Sequence, residues 1–326
     1  MGKKRILISV RAEFDGDSPV RTLLREAGFE AIEEYGGPDW ADDETREKLA
    51  DIDGIVAGNE RFDANTLANA GRLRIVARYG VGYDRVDLAQ CTHAGVVVTN
   101  TPGTMAPAVA DLAFGLLLAL VRNICADDAQ LKSGGQLKPP IGADLESLAL
   151  GLVGCGLIGT EVAQRAAGFG MTTVVHDPWA DTERIRALGC EVLSLEQLLQ
   201  RADVVTLHLP LTEDSAELVD ARFLSSMKKG SYLINTARGG LVDEAALVTA
   251  LQDGHLKGAG LDCQVTEPPV GISRELVGLP NVVATSHVGS MTMSARRKMA
   301  LMAGQSVVDF FSGRTPQHVV NTAVLP

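Results

Sequence analysis

The chain has 326 residues, 46% hydrophobic and 22% charged, an ordinary globular composition with enough apolar material for a large core and for two domains. Its formal charge of −11, with acidic and basic residues interspersed, excludes a general affinity for nucleic acid or an anionic membrane, so an anionic substrate needs a local basic site. The five cysteines are scattered without a C-x-x-C pair, which argues against a disulfide framework or a metal site and for reduced thiols in the cytoplasm.

The start, Met1-Gly2-Lys3-Lys4-Arg5, leads into an apolar run over residues 6–10 that is too brief for an export signal and reads as a strand. Ser18 followed by Pro19 predicts the cap and first residue of a helix ending near Gly28. Further strands are predicted over 54–57, 75–78 and 96–99, with helical segments between them. After Pro102 an apolar helix runs to about Val121; it carries Asp111 and falls short of the roughly 20 residues of a membrane span, so it is expected to be buried. A polar connection over 133–140 then leads to strands over 148–153, 173–176, 204–209, 232–235, 259–261 and 282–285. The last helix, over 294–311, ends before Gly313 and a tail, Val319-Val320-Asn321, long enough to return to the first unit. Alternation of this kind predicts an α/β fold with doubly wound, mostly parallel sheets covered on both faces.

The strand at 148–153 runs into Gly154-Cys155-Gly156-Leu157-Ile158-Gly159 and a helix-forming segment, the context a dinucleotide-binding turn requires. Gly154 permits the turn, Gly156 the approach of a pyrophosphate, and Gly159 close helix–strand packing. The next strand ends in Asp177-Pro178, where a carboxylate accepts bonds from ribose hydroxyls and repels a 2′-phosphate, predicting NAD rather than NADP. Three further strands end in Thr236-Ala237-Arg238-Gly239-Gly240, in Asp262 with Glu267 behind it, and in His287. Because the carboxyl ends of strands in such a sheet line one crevice, Arg238, Asp262 and His287 are expected to converge.

Those strings, together with Glu267-Pro268 and His287-Val288-Gly289-Ser290, resemble the signatures of the D-isomer-specific 2-hydroxyacid dehydrogenases. The likeness extends over nearly the whole chain, since residues 78–84 and Thr99-Asn100-Thr101-Pro102-Gly103 resemble the family's substrate loop and first interdomain crossing. It implies two Rossmann-like domains: a flavodoxin-like substrate domain of residues 1–101 and 294–326, and an NAD-binding domain of residues 102–293. It further implies that Arg238 clamps a substrate carboxylate, His287 exchanges a proton with the C2 oxygen, and Glu267 pairs with His287. Asp262 resembles the residue that orients the nicotinamide carboxamide, and His208-Leu209-Pro210 the segment along the cofactor; Thr236, Ala237 and Gly289 fall in the same cofactor site. Arg78 and the backbone of Gly80-Val81-Gly82 are the expected substrate-binding loop. The family implies a homodimer formed through the nucleotide domain, and a small carboxylate substrate held in an interdomain cleft.

The loop over 78–84 is most similar to the phosphoglycerate dehydrogenase-like subgroup, here expected as a catalytic core without the regulatory domain of some members; Arg61, Arg78 and Arg85 are candidate phosphate donors. Residues 141–147, Ser286, Met291 and Met293 depart from the family pattern, which bears on substrate preference. Two alternatives share the fold: a phosphite-type dehydrogenase, which also uses Arg, Glu and His, and an NAD(H)-sensing interaction protein of the corepressor type. Glu267 disfavours a formate dehydrogenase, where Gln pairs with the histidine.

Overall fold

The computed structural model describes residues 2–11, 18–35, 42–135 and 141–325, so part of the expected 133–140 connection lies outside the described residues. The chain divides into two compact units, Met1–Met105 with Met291–Pro326, and Ala106–Ser290. These divisions lie a few residues from those expected at 101/102 and 293/294.

In the first unit β1 (Arg5–Ile8), β2 (Glu30–Glu33), β3 (Gly54–Ala57), β4 (Ile75–Arg78) and β5 (Val97–Thr99) form a parallel sheet in the order β2-β1-β3-β4-β5. The inner strands are continuous apolar runs because helices cover both faces; β3 and β4 are buried at every position. Ser18 accepts the Arg21 N–H at the start of the helix Pro19–Glu26, and Gly28 ends that turn at φ +88°. The helix Met293–Phe311 supplies Ala300, Ala303 and Val307 to the core around Ile6, Val20 and Ile75. It packs so closely that a Cβ on Gly304 would lie 2.8 Å from Val20 Cγ2. Beyond it, Val320 N–H donates to the Val98 carbonyl at 2.9 Å, and the Asn321 side chain accepts from Val98 N–H at 2.8 Å and donates to the Val96 carbonyl at 2.9 Å. The tail thus stitches itself to β5, within the unit expected.

The second unit holds a seven-stranded sheet of β6 (Ala149–Val153), β7 (Thr172–His176), β8 (Glu191–Val192), β9 (Val204–Leu207), β10 (Ser231–Asn235), β11 (Leu256–Leu261) and β12 (Val282–Ala284). Every pairing is parallel, in the order β12-β11-β10-β9-β6-β7-β8. The order reverses between β6 and β9, the position where such sheets open a crevice at their carboxyl ends. The apolar helix Ala106–Val121 is largely buried, and Leu116 and Leu120 reach glycines of β11 where no side chain stands between. No single helix among the described residues is long and apolar enough to cross a membrane.

Candidate active site

The turn after β6 gives each of its three glycines a separate job. Gly154 has φ +90°, and a Cβ there would lie 2.5 Å from the His208 carbonyl oxygen, so only glycine fits where the chain passes the end of β9. A Cβ on Gly159 would meet the Gly154 oxygen at 2.4 Å, which is how closely the helix Leu157–Gly168 rests on the strand. A Cβ on Gly156 would meet nothing within 4 Å outside its own helix and chain neighbours. Gly156 is the N-cap of that helix and provides no side-chain cap, so the helix presents its first N–H groups and positive dipole end beside open space.

Asp177 follows β7 directly. Its Oδ2 accepts the Cys155 N–H from the glycine turn at 2.7 Å, and its Oδ1 accepts the Trp179 and Ala180 N–H groups at 2.9 and 3.1 Å. Three of about four acceptor positions are therefore engaged, and one remains for a hydroxyl. Pro178 is exposed at the same strand end. After β9, burial pushes the His208 pKa down to about 3 and keeps the ring neutral; its Nε2 lies 2.8 Å from the Thr206 hydroxyl. The buried His208 Nδ1, Thr236 Oγ1 and Gln264 Nε2 have no partner in the protein. Orphaned polar atoms after β9, β10 and β11, in the same sheet as an uncrowded helix N-terminus after β6, fit a bound dinucleotide that offers both phosphate and hydrogen-bonding groups.

The chemistry-bearing side chains sit at the ends of β10, β11 and β12. The buried Asn235 holds the first turn by accepting Ala237 N–H at 3.0 Å and donating to the Arg238 carbonyl at 2.8 Å. A Cβ on Gly239 would fall 2.1 Å from the Gln264 carbonyl carbon, so the Arg238 turn lies directly on the segment leading to Glu267. Asp262, 1% exposed, accepts Thr285 Oγ1 at 2.6 Å and Val288 N–H at 2.8 Å on Oδ1, and Gly289 N–H at 2.8 Å on Oδ2. Its carbonyl also accepts His287 N–H at 2.8 Å. This clasp holds His287 at φ +56°, a left-handed conformation uncommon for a residue with a Cβ.

His287 Nδ1 stands 3.0 Å from Glu267 Oε2 and 3.2 Å from Oε1. A carboxylate only accepts, so Nδ1 must carry the proton donated to it, leaving Nε2 as the nitrogen that can gain or lose one. The Glu267 hydrogen bond and charge raise the His287 pKa above the ordinary histidine value, against burial and the Arg238 cation, which lower it. Burial alone would raise the Glu267 pKa, but the His287 hydrogen bond and charge, the Gln264 N–H and Arg238 bring it below the usual carboxylate range. Arg238, Glu267, Asp262 and His287, expected to converge, therefore do so within this unit.

In the first unit Arg78, 5% exposed at the end of β4, donates to the Gly82 carbonyl at 3.3 Å and to Asn59 Oδ1 at 3.4 Å. Asn100 donates to the Val81 carbonyl at 2.9 Å and Thr101 N–H to the Gly80 carbonyl at 3.0 Å. Because a trans peptide sets its C=O and N–H on opposite sides, these inward carbonyls turn the Val81 and Gly82 N–H groups outward. Of the other candidate phosphate donors, Arg61 is engaged by Asp63 at 2.9 Å.

Two residues absent from the sequence reading support the second unit's site. Glu244, 5% exposed, accepts Val265 N–H at 2.9 Å and the Ser273 hydroxyl at 2.5 Å, bracing the loop that carries Glu267. Arg184 donates to the Cys155 carbonyl and, at 2.8 Å, to Thr160 Oγ1, tying the helix Thr182–Ala187 to the glycine turn. Both act across long sequence separations, and neither lies in a motif.

A sheet with this strand order, with that turn at its switch point and a carboxylate ending the next strand, defines a dinucleotide-binding domain. Residues 114–289 match the family described as "D-isomer specific 2-hydroxyacid dehydrogenase, NAD binding domain". The glyoxylate reductase of Thermococcus litoralis is 40% identical over 288 residues, which are 86% of either chain. D-3-phosphoglycerate dehydrogenase 2, chloroplastic, of Arabidopsis thaliana is 38% identical over 313 residues, covering 94% of this chain and 50% of that one. The crystal structure of a D-lactate dehydrogenase from Aquifex aeolicus, complexed with NAD and lactic acid, matches with a TM-score of 0.84 at 27% identity, covering 95% of this chain and 96% of that one. The chain belongs to the D-isomer-specific 2-hydroxyacid dehydrogenase family, and it is an NAD-dependent oxidoreductase.

Proposed function

We propose that the protein reduces a small 2-oxo carboxylate to the D-2-hydroxy acid, and runs the reverse reaction when the substrates are reversed. The observation that carries this reading is the Glu267–His287 pair, with a raised imidazole pKa, beside the Arg238 turn. Bound NADH supplies the hydride to C2. Arg238 binds the substrate carboxylate through its planar fork, which fixes the face of C2 presented. His287 Nε2 gives its proton to the C2 oxygen as negative charge builds there, and Glu267 holds the tautomer and stabilises the charged ring. Asp262 keeps the His287 loop in register, with an acceptor position left for the carboxamide. Gly154, Gly156, Leu157, Ile158 and Gly159 hold the pyrophosphate, Asp177 and Pro178 the adenosine ribose, and His208, Leu209, Pro210, Thr236, Ala237 and Gly289 the rest of the cofactor. In the loop Gly80-Val81-Gly82, whose last carbonyl accepts from Arg78, the outward N–H groups of Val81 and Gly82 suit an anion such as a carboxylate.

The second unit then carries the nucleotide-binding residues together with Arg238, Glu267 and His287. A homodimer is supported by the helix Ile124–Lys132, which has no buried residue, and by the exposed Ile124, Leu131, Ile141 and Phe169 of the nucleotide-binding unit; light scattering on the purified protein tests it. The unpaired cysteines suit a reducing compartment such as the cytoplasm.

The test of the activity is NADH oxidation against glyoxylate, hydroxypyruvate, phosphohydroxypyruvate, 2-oxoglutarate and branched-chain 2-oxoacids. Turnover that disappears in His287→Ala is the expected result. Silence across the panel, in a protein that still binds NADH, would overturn the reading.

A further inference from the structure

We propose that Trp179 forms the outer wall of the adenine site and stacks its indole on the adenine ring of the bound dinucleotide, a role that rests on the assignment of Asp177 to the adenosine ribose. Trp179 is 94% exposed, whereas no other aromatic side chain among the described residues exceeds 42%. An indole held in water is the least favourable placement for the largest apolar side chain, which would recover that area only by covering another flat surface.

Its position is not loose. The Oδ1 oxygen of Asp177 accepts the Trp179 N–H at 2.9 Å and the Ala180 N–H at 3.1 Å, so the carboxylate assigned to the ribose also fixes the backbone bearing the indole. The other oxygen ties the same carboxylate to Cys155 in the glycine turn. On the far side, Asp181 caps the helix Thr182–Ala187, and Arg184 anchors that helix to the Cys155 carbonyl and Thr160. The short segment from 177 to 181 is thus secured at both ends, and what can move is the indole, by rotation about its side-chain bonds.

Two residues of chain span at most about 7 Å, and adenine hangs from the ribose whose hydroxyls Asp177 would take, so the base comes within reach of this one side chain. Stacking needs a flat π-face and no hydrogen-bond pattern, which is what an exposed indole beside the exposed Pro178 ring offers. Trp179 would therefore select for ligands with an adenosine half and contribute nothing to a mononucleotide bearing only nicotinamide.

The experiment compares wild type, Trp179→Ala and Trp179→Phe in calorimetric titrations with NADH, ADP-ribose and reduced nicotinamide mononucleotide. Trp179→Ala is expected to weaken NADH and ADP-ribose about tenfold and leave the mononucleotide unchanged, while Trp179→Phe, which keeps a ring face, stays within about twofold of wild type. The only other tryptophan is Trp40, so a Trp40→Phe background isolates the Trp179 fluorescence. In that background ADP-ribose, which has no nicotinamide to accept energy, should quench the remaining emission by contact. Unchanged ADP-ribose affinity in Trp179→Ala, or no quenching in Trp40→Phe, overturns the proposal. Failure of wild type to bind ADP-ribose and NADH at all would instead overturn the assignment of the cofactor site, and this inference with it.

Discussion

The three glycines of the turn after β6 should respond to the same substitution in different ways. Gly156→Ala adds a methyl group where nothing lies within 4 Å, at an N-cap with a negative φ of −72°. Alanine is a poorer cap than glycine by about 0.5–1.5 kcal/mol, offset in part by about 0.4–1 kcal/mol from restricting the unfolded chain, so the net cost should stay at about 1 kcal/mol or below, with Tm within about 3 °C. The added methyl occupies the space through which a pyrophosphate would reach the helix N–H groups, so the NADH Kd should rise at least about tenfold, a loss of about 1.4 kcal/mol. Gly159→Ala places its Cβ 2.4 Å from a backbone oxygen and 3.1 Å from Leu152 Cδ2, contacts that only a shift of the helix relieves. Overpacking of this kind costs about 1–3 kcal/mol, or roughly 3–10 °C in Tm for a unit of this size. Gly154→Ala adds the strain of φ +90° to a 2.5 Å clash with the His208 oxygen and should be the most damaging of the three. Thermal melts of the apoproteins alongside NADH calorimetry separate these cases. Gly156→Ala binding NADH with wild-type affinity would refute the placement of the pyrophosphate, whatever the other two variants do.

Three further outcomes follow from the remaining geometry. Glu267→Gln removes the charge that raises the His287 pKa; since reduction uses the protonated imidazole and fails as pH rises through that pKa, its alkaline limb should move to lower pH, with about a hundredfold loss of kcat. An unshifted pH profile would mean that Glu267 does not govern the imidazole. Arg238→Lys keeps the charge but loses the fork, so kcat/KM for the 2-oxoacid should drop roughly a hundredfold while NADH affinity holds; equal losses in both would assign Arg238 to the cofactor instead. Glu244→Ala strands the Val265 N–H and the Ser273 hydroxyl, and should cost about 2–3 kcal/mol in thermal unfolding and lower kcat by freeing the Glu267 loop; a wild-type melt would show that the brace is dispensable.

What could be read from the sequence was what is written in contiguous residues. Interior strands announced themselves because burial on both faces makes them unbroken apolar runs, such as Gly54–Ala57. The two strands that escaped lie at sheet edges: β2 mixes Glu30 and Glu33 with partly exposed apolar residues, and β8 is only two residues long. The glycine turn and Asp177 were legible because the phosphate chemistry demands a fixed local spacing. Glu244 and Arg184 were not, since each acquires its role only when the fold brings it to a partner 21 to 29 residues away. Nor does any local pattern announce that Asp262 would clasp the loop of His287 more than 20 residues on, or that His287 would sit at positive φ.

The stitching of Asn321 to β5, and of the helix Met293–Phe311 to the first sheet, sets an order of assembly during synthesis. The nucleotide-type unit is one uninterrupted stretch, Ala106–Ser290, and has all its strands once that stretch has emerged from the ribosome. Of the two units, the one begun first is completed second, because its sheet waits for a covering helix and an edge partner that follow the whole of the other unit in the chain. A nascent chain that had emerged as far as Ser290 and no further would therefore carry a complete second unit and a first unit whose apolar sheet face is still open, the stage of its synthesis at which a chaperone has most to cover.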